Sequence, residues 1–192
     1  MSSVLITGSN GFIGSHLCDA FLDRGFTVYG LVRPTSDLRF LRRPEIRLIS
    51  GDLTDPDSIA LPRDLDVIVH AAALVSDNAT RRQCRRQIYD VTVDLLDLAR
   101  RRYPRLRRFV YLSTALTLGY CGDSISERRP GRSAAYVPYN YAKKLADDAR
   151  ETGARVEFEP ANSVLLSVGA LSLRRVMSNL IGNAVRYGGN EP

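Results

Sequence analysis

Residues 4–14 constrain this chain more than any other stretch. A short apolar run, Val4-Leu5-Ile6, leads through Thr7 into Gly8-Ser9-Asn10-Gly11-Phe12-Ile13-Gly14, with a glycine at every third position. Beyond it Phe12, Ile13, Leu17, Ala20 and Phe21 recur at helical spacing, and Gly25 stands where a helix-ending glycine is expected. The pattern predicts a buried strand, a glycine turn and a helix over 12–24. Glycines let the backbone take positive φ and approach a ligand without a Cβ in the way. The start of the helix then offers unpaired N–H groups and the positive end of its dipole to an anion such as a pyrophosphate. Gly8, Asn10, Gly11, Phe12, Ile13 and Gly14 are the candidate contacts.

Strand and helix signals continue to alternate, which predicts βαβ units and a parallel sheet. Strands are expected at 27–32, 46–49, 67–70 and 109–112, with a long helix over roughly 80–102 and another from 139 to about 151. A sixth strand is read at 156–158. Leu173, Val176, Leu180, Ala184 and Val185 form the stripe of an amphipathic helix over 171–187, stopped by Gly188-Gly189. The expected fold is α/β, a doubly wound parallel sheet, C-terminally truncated and ending in that helix.

The net charge of +6 comes mainly from arginine, in two clusters at 81–86 and 100–108. Aromatic residues are not interleaved with them as stacking platforms would be, so they read as solvated helix faces and no nucleic-acid partner is expected. Cys18, Cys84 and Cys121 match neither a metal-ligand spacing nor a disulfide framework, which favours a reducing setting and predicts no metal. No leader pattern opens the chain and no apolar run reaches membrane-spanning length, so a cytoplasmic location without a membrane partner is expected.

The spacing G-x-x-G-x-x-G resembles the extended branch of the short-chain dehydrogenase/reductase superfamily, the NAD-dependent epimerases and dehydratases. Gly51-Asp52-Leu53-Thr54-Asp55 after the third strand and His70-Ala71-Ala72-Ala73 at the end of the fourth agree with it, in order, over residues 3–162. The resemblance implies an NAD or NADP cofactor. Asp52 and Leu53 would lie at the adenine, Ala71, Ala72 and Ala73 under the cofactor, and Ser113 and Pro160 beside it. Arg33 ends the second strand, where users of NAD tend to carry an acid for the ribose 2′-hydroxyl. An arginine there can meet a 2′-phosphate, so NADP is favoured.

Tyr139 and Lys143 are four apart, on one face of a predicted helix. A free phenol has a pKa of about 10, and a nearby ammonium plus an oxidised nicotinamide would favour the phenolate. Tyr139 is thus a candidate general acid/base, and Lys143 a candidate ribose contact. The family pattern assigns Thr114 the third role, a hydrogen bond to the substrate oxygen. The expected activity is oxidation and reduction at a carbinol or ketone carbon of a sugar-nucleotide-like or small ketone substrate.

Two stretches depart from the family pattern. Asp90-Val91-Thr92-Val93-Asp94 stands where an Asn-Val-x-Gly-Thr run is common, and Glu159 precedes Pro160 where arginine is usual. Residues 165–189 resemble the N-box helix of sensor histidine kinases, through Asn179, Asn183, Arg186 and Tyr187. The chain therefore reads as a dinucleotide-binding domain, 1–162, joined to a foreign or truncated tail, 163–192. Two readings compete with an enzyme: a non-catalytic dinucleotide-binding fragment, and a signalling fragment using the tail as an interaction helix. A second copy of the chain is the candidate macromolecular partner.

Overall fold

A computed structural model describes residues 2–76, 78–114, 117 and 137–149. All of them belong to the unit Met1–Val156. The expected sixth strand, Pro160 and the tail lie outside the described residues.

Five parallel strands, β1 (Ser3–Thr7), β2 (Thr27–Val32), β3 (Arg47–Ser50), β4 (Val67–His70) and β5 (Arg108–Tyr111), form one sheet in the order β3-β2-β1-β4-β5. Each lies within a residue of its predicted position. Val4, Leu5 and Ile6 of the central strand β1 are fully buried, and their alternation serves two layers. Leu5 joins Leu31, Ile68, Leu95, Leu98 and Tyr103 on one face, while Val4 and Ile6 join Cys18, Val28 and Val69 on the other. Burial on both faces explains why β1 reads as an unbroken apolar run.

Helix α1 (Phe12–Leu22) covers the second face. Gly25, at φ 76°, closes it: the Gly25 N–H donates to Leu22 O and the Phe26 N–H to Phe21 O, and the Phe21 and Phe26 rings meet edge to face at 5.1 Å. The long helix predicted over 80–102 exists but is not uniform. Thr80 and Gln83 form a reciprocal capping box for α2 (Arg81–Cys84), a wide π-turn follows over Arg85–Asp90, and α3 (Val91–Arg102) completes it. Helix α4 (Pro138–Asp148) starts at a proline, whose missing N–H costs nothing there, and packs on α2 and the π-turn.

Candidate dinucleotide site

The sheet order reverses at β1: the chain leaves it toward β2 on one side, and β4 flanks it on the other. In open α/β sheets ligands sit at this crevice, beyond the carboxyl ends of the strands. Gly8 occupies it with φ 65°, and a Cβ there would lie 2.9 Å from the Ala72 backbone. A Cβ on Gly14 would lie 2.1 Å from the Gly8 carbonyl oxygen, so glycine is what lets α1 seat against the turn. The Gly11 N–H donates to Gly8 O at 3.0 Å and closes the loop. Gly11 caps α1 without a side-chain hydrogen bond, and the first turn holds no acidic residue. The N–H groups of Phe12, Ile13 and Gly14 therefore point outward with no helical acceptor, and Ile13 is 47% exposed beside them. This cradle fits a pyrophosphate.

Around it Asn10 Nδ2 donates to Asp37 O, tying the loop after β2 to the glycine turn. Arg33 is exposed on that loop, its N–H bonded to Ser36 Oγ. Asp52 Oδ1 accepts both the N–H and the hydroxyl of Thr54, at 2.9 Å each. These bonds, the backbone one foremost, with Arg33 nearby, hold its carboxyl below the usual range. Leu53 packs against the core, and Ala71, Ala72 and Ala73 are half-buried along the crevice.

The second cluster lies where β5 meets α4. Lys143 is 2% exposed, and its Nζ donates to Leu112 O at 2.7 Å while lying 4.5 Å from the Tyr111 ring centre and 5.9 Å from that of Tyr139. Burial pulls its pKa down to about 8, against the opposing pull of Asp147. Tyr139 is half-buried against the cluster of Cys84, Ile88 and Ala142. Its hydroxyl is raised above the ordinary value, by burial first and Cys84 second. Ser113 is exposed and donates to Asp147 Oδ2 at 2.7 Å, one helical turn past Lys143. Thr114 is half-buried and its carbonyl accepts from Thr117.

The structure also gathers residues that sequence reasoning did not single out. His70 is fully buried at the end of β4 between Thr7 and Thr92, and stacks on Tyr111 at 5.6 Å. Burial, with Lys143 close by, lowers its pKa to about 3, so it is neutral. The Tyr111 hydroxyl is buried close to Thr92, without a hydrogen bond of normal geometry among the described residues. A histidine closing an apolar strand was the only available signal. Among the described residues no group of His, Cys, Asp and Glu is placed to hold a metal, and no helix is long and apolar enough to cross a membrane.

A Rossmann-like sheet with this glycine cradle defines a nucleotide-binding α/β class. The profile of the NAD dependent epimerase/dehydratase family matches residues 4–183, and the chain belongs to that family. It is 38% identical over 76 residues to a 3 beta-hydroxysteroid dehydrogenase/Delta 5-->4-isomerase of Mycobacterium tuberculosis, covering 39% of this chain and 20% of that protein. Among solved structures, the Bordetella bronchiseptica enzyme WbmH in complex with NAD+ superposes with a TM-score of 0.65 at 26% identity, over 79% of this chain and 52% of that one. A UDP-galactose 4-epimerase superposes with a TM-score of 0.68 at 27% identity, over 80% and 52%. The chain thus spans about half the length of these solved relatives and a fifth of the matched dehydrogenase.

Proposed function

We propose that this chain is the dinucleotide-binding part of an oxidoreductase acting at a carbinol or ketone carbon. The observation that carries this is the uncapped start of α1 behind Gly8 and Gly14, at the switch point of the sheet. The diphosphate would rest on the N–H groups of Phe12 and Ile13, the adenine beside Asp52 and Leu53, and the nicotinamide half over Ala71–Ala73 toward Ser113. Pro160, outside the described residues, would be a further cofactor contact by the family resemblance. A bound nicotinamide accepts or returns a hydride.

In the oxidative direction the hydride leaves the carbinol carbon as Tyr139 takes the hydroxyl proton, leaving a ketone; reduction reverses both transfers. Thr114 would hold the substrate oxygen. Lys143 would bind the nicotinamide ribose and, with the positive nicotinamide ring, lower a phenol that burial and Cys84 raise. Arg33, with Ser36 beside it, would favour NADP by meeting a 2′-phosphate. Family relatives act on steroids and on sugar nucleotides by name, and both present a carbinol carbon to this chemistry.

Native mass spectrometry of the freshly purified chain tests the reading. A bound adduct with the mass of NADP or NAD is expected, and its persistent absence after incubation with either dinucleotide would contradict it.

A further inference from the structure

At the base of the crevice the hydrogen bonds admit one direction only. The Ala72 N–H can only donate, and does so to Thr7 Oγ1 at 3.1 Å. At the other end the Ile88 carbonyl can only accept, and takes the Thr92 hydroxyl from one helical turn beyond. His70 lies between, with Nδ1 2.7 Å from Thr7 Oγ1 and Nε2 3.1 Å from Thr92 Oγ1. Thr92 has spent its proton on Ile88, so it accepts from His70 Nε2–H. That leaves Nδ1 bare to accept the Thr7 hydroxyl proton. Every hydroxyl and ring nitrogen of the chain is then satisfied by this single tautomer; an imidazolium, a donor at both nitrogens, would reverse the Thr7 link and leave the Thr7 hydroxyl proton without its acceptor.

We propose that His70 is a positioning residue of the dinucleotide site: through its two ring nitrogens a one-way chain of hydrogen bonds, running from the Ala72 N–H to the Ile88 carbonyl, fixes the floor beneath Gly8 to the helix turn that packs on Tyr139. Its bearing on the cofactor rests on the dinucleotide reading above. The two ends sit where each half of the site is built. The Ala72 backbone is what a Cβ on Gly8 would strike. Ile88 packs with Cys84 and Ala142 against Tyr139. Aligned dipoles in such a chain reinforce one another, so losing one link loosens the rest.

The test uses the full chain, labelled with nitrogen-15, as wild type, Thr92→Val and Thr92→Ser. Three readouts are taken: the ring-nitrogen shifts of His70, hydrogen exchange at the Ala72 amide, and NADPH affinity by fluorescence titration. Wild type should show a protonated Nε2 and a bare Nδ1. Thr92→Val keeps the shape and removes the acceptor. It should mix the tautomers, speed Ala72 exchange, and raise the Kd for NADPH by about 3- to 10-fold, as expected for one lost buried hydrogen bond. Thr92→Ser restores the hydroxyl and should restore all three, which a role in packing alone would not. A protonated Nδ1 in wild type overturns the proposal and needs no variant to fold. So does a Thr92→Val chain whose Ala72 exchange and NADPH affinity match wild type. A wild type that does not bind NADPH contradicts the dinucleotide reading instead, while the ring and amide signals still decide the relay.

Discussion

Lys143 and His70 are ionisable groups held out of water, and each makes stability depend on pH. The folded pKa of Lys143 is about 8 against an ordinary 10.5, so its charged form is disfavoured by folding. Below pH 8 that cost, of the order of 3 kcal/mol before the Leu112 hydrogen bond offsets part of it, is carried in full; it fades as pH rises from about 8 toward 10.5. Lys143→Met should therefore raise the melting temperature at pH 7 while weakening dinucleotide binding; a lower melting temperature would show that the Leu112 contact outweighs desolvation. His70 stays neutral down to about pH 3, whereas the unfolded chain takes up its proton near 6.5. Stability should thus fall by up to ~1.4 kcal/mol per unit as pH drops below 6.5, read by urea unfolding at pH 7, 6 and 5. His70→Asn should flatten that slope. Tyr139→Phe removes the phenolic proton and keeps the ring, so turnover should fall by about 10²- to 10⁴-fold with cofactor affinity nearly unchanged. An undiminished rate would remove Tyr139 from the mechanism.

At the scale of elements, local pattern and tertiary packing divide what the sequence could reveal. The five strands, the α1 closure at Gly25 and the Tyr139–Lys143 face of α4 were legible because apolar periodicity and turn glycines act over a few residues. The π-turn over 85–90 was not, since nothing in Arg85-Arg86-Gln87-Ile88-Tyr89-Asp90 departs from helical composition. Nor was the Ser113–Asp147 bond or the seat of Lys143 on Leu112 O, which depend on how β5 and α4 come together. The atypical run Asp90–Asp94 has a physical reading in this light: Thr92 inside it holds His70. The capping box gives a prediction of its own. Thr80→Ala removes the acceptor for the Gln83 N–H and should cost about 1 kcal/mol by urea unfolding, without effect on dinucleotide affinity. A loss of affinity there would mean that the 80–90 segment shapes the site more directly than its hydrogen bonds indicate.

For the whole molecule, the family match runs to residue 183, past the boundary at 162 that the sequence reading draws on the N-box resemblance. We propose that the residues after 162 take no part in holding the dinucleotide, since the cradle, its floor and the Tyr139–Lys143 pair all lie before residue 150. A chain ending at 162 should then keep its dinucleotide affinity if it folds. The central claim is narrower and can be met directly. Calorimetric titration of NADPH into the wild-type chain and into Gly11→Val decides it. A Gly11 Cβ would meet Gly8 O at 3.2 Å, a tight contact that a shift of a few tenths of an ångström relieves, and would stand at the mouth of the cradle, where the proposed diphosphate would lie. Saturable binding by the wild type, abolished in a Gly11→Val chain with an unchanged circular dichroism spectrum, is the predicted result; equal affinity in the two would contradict the account.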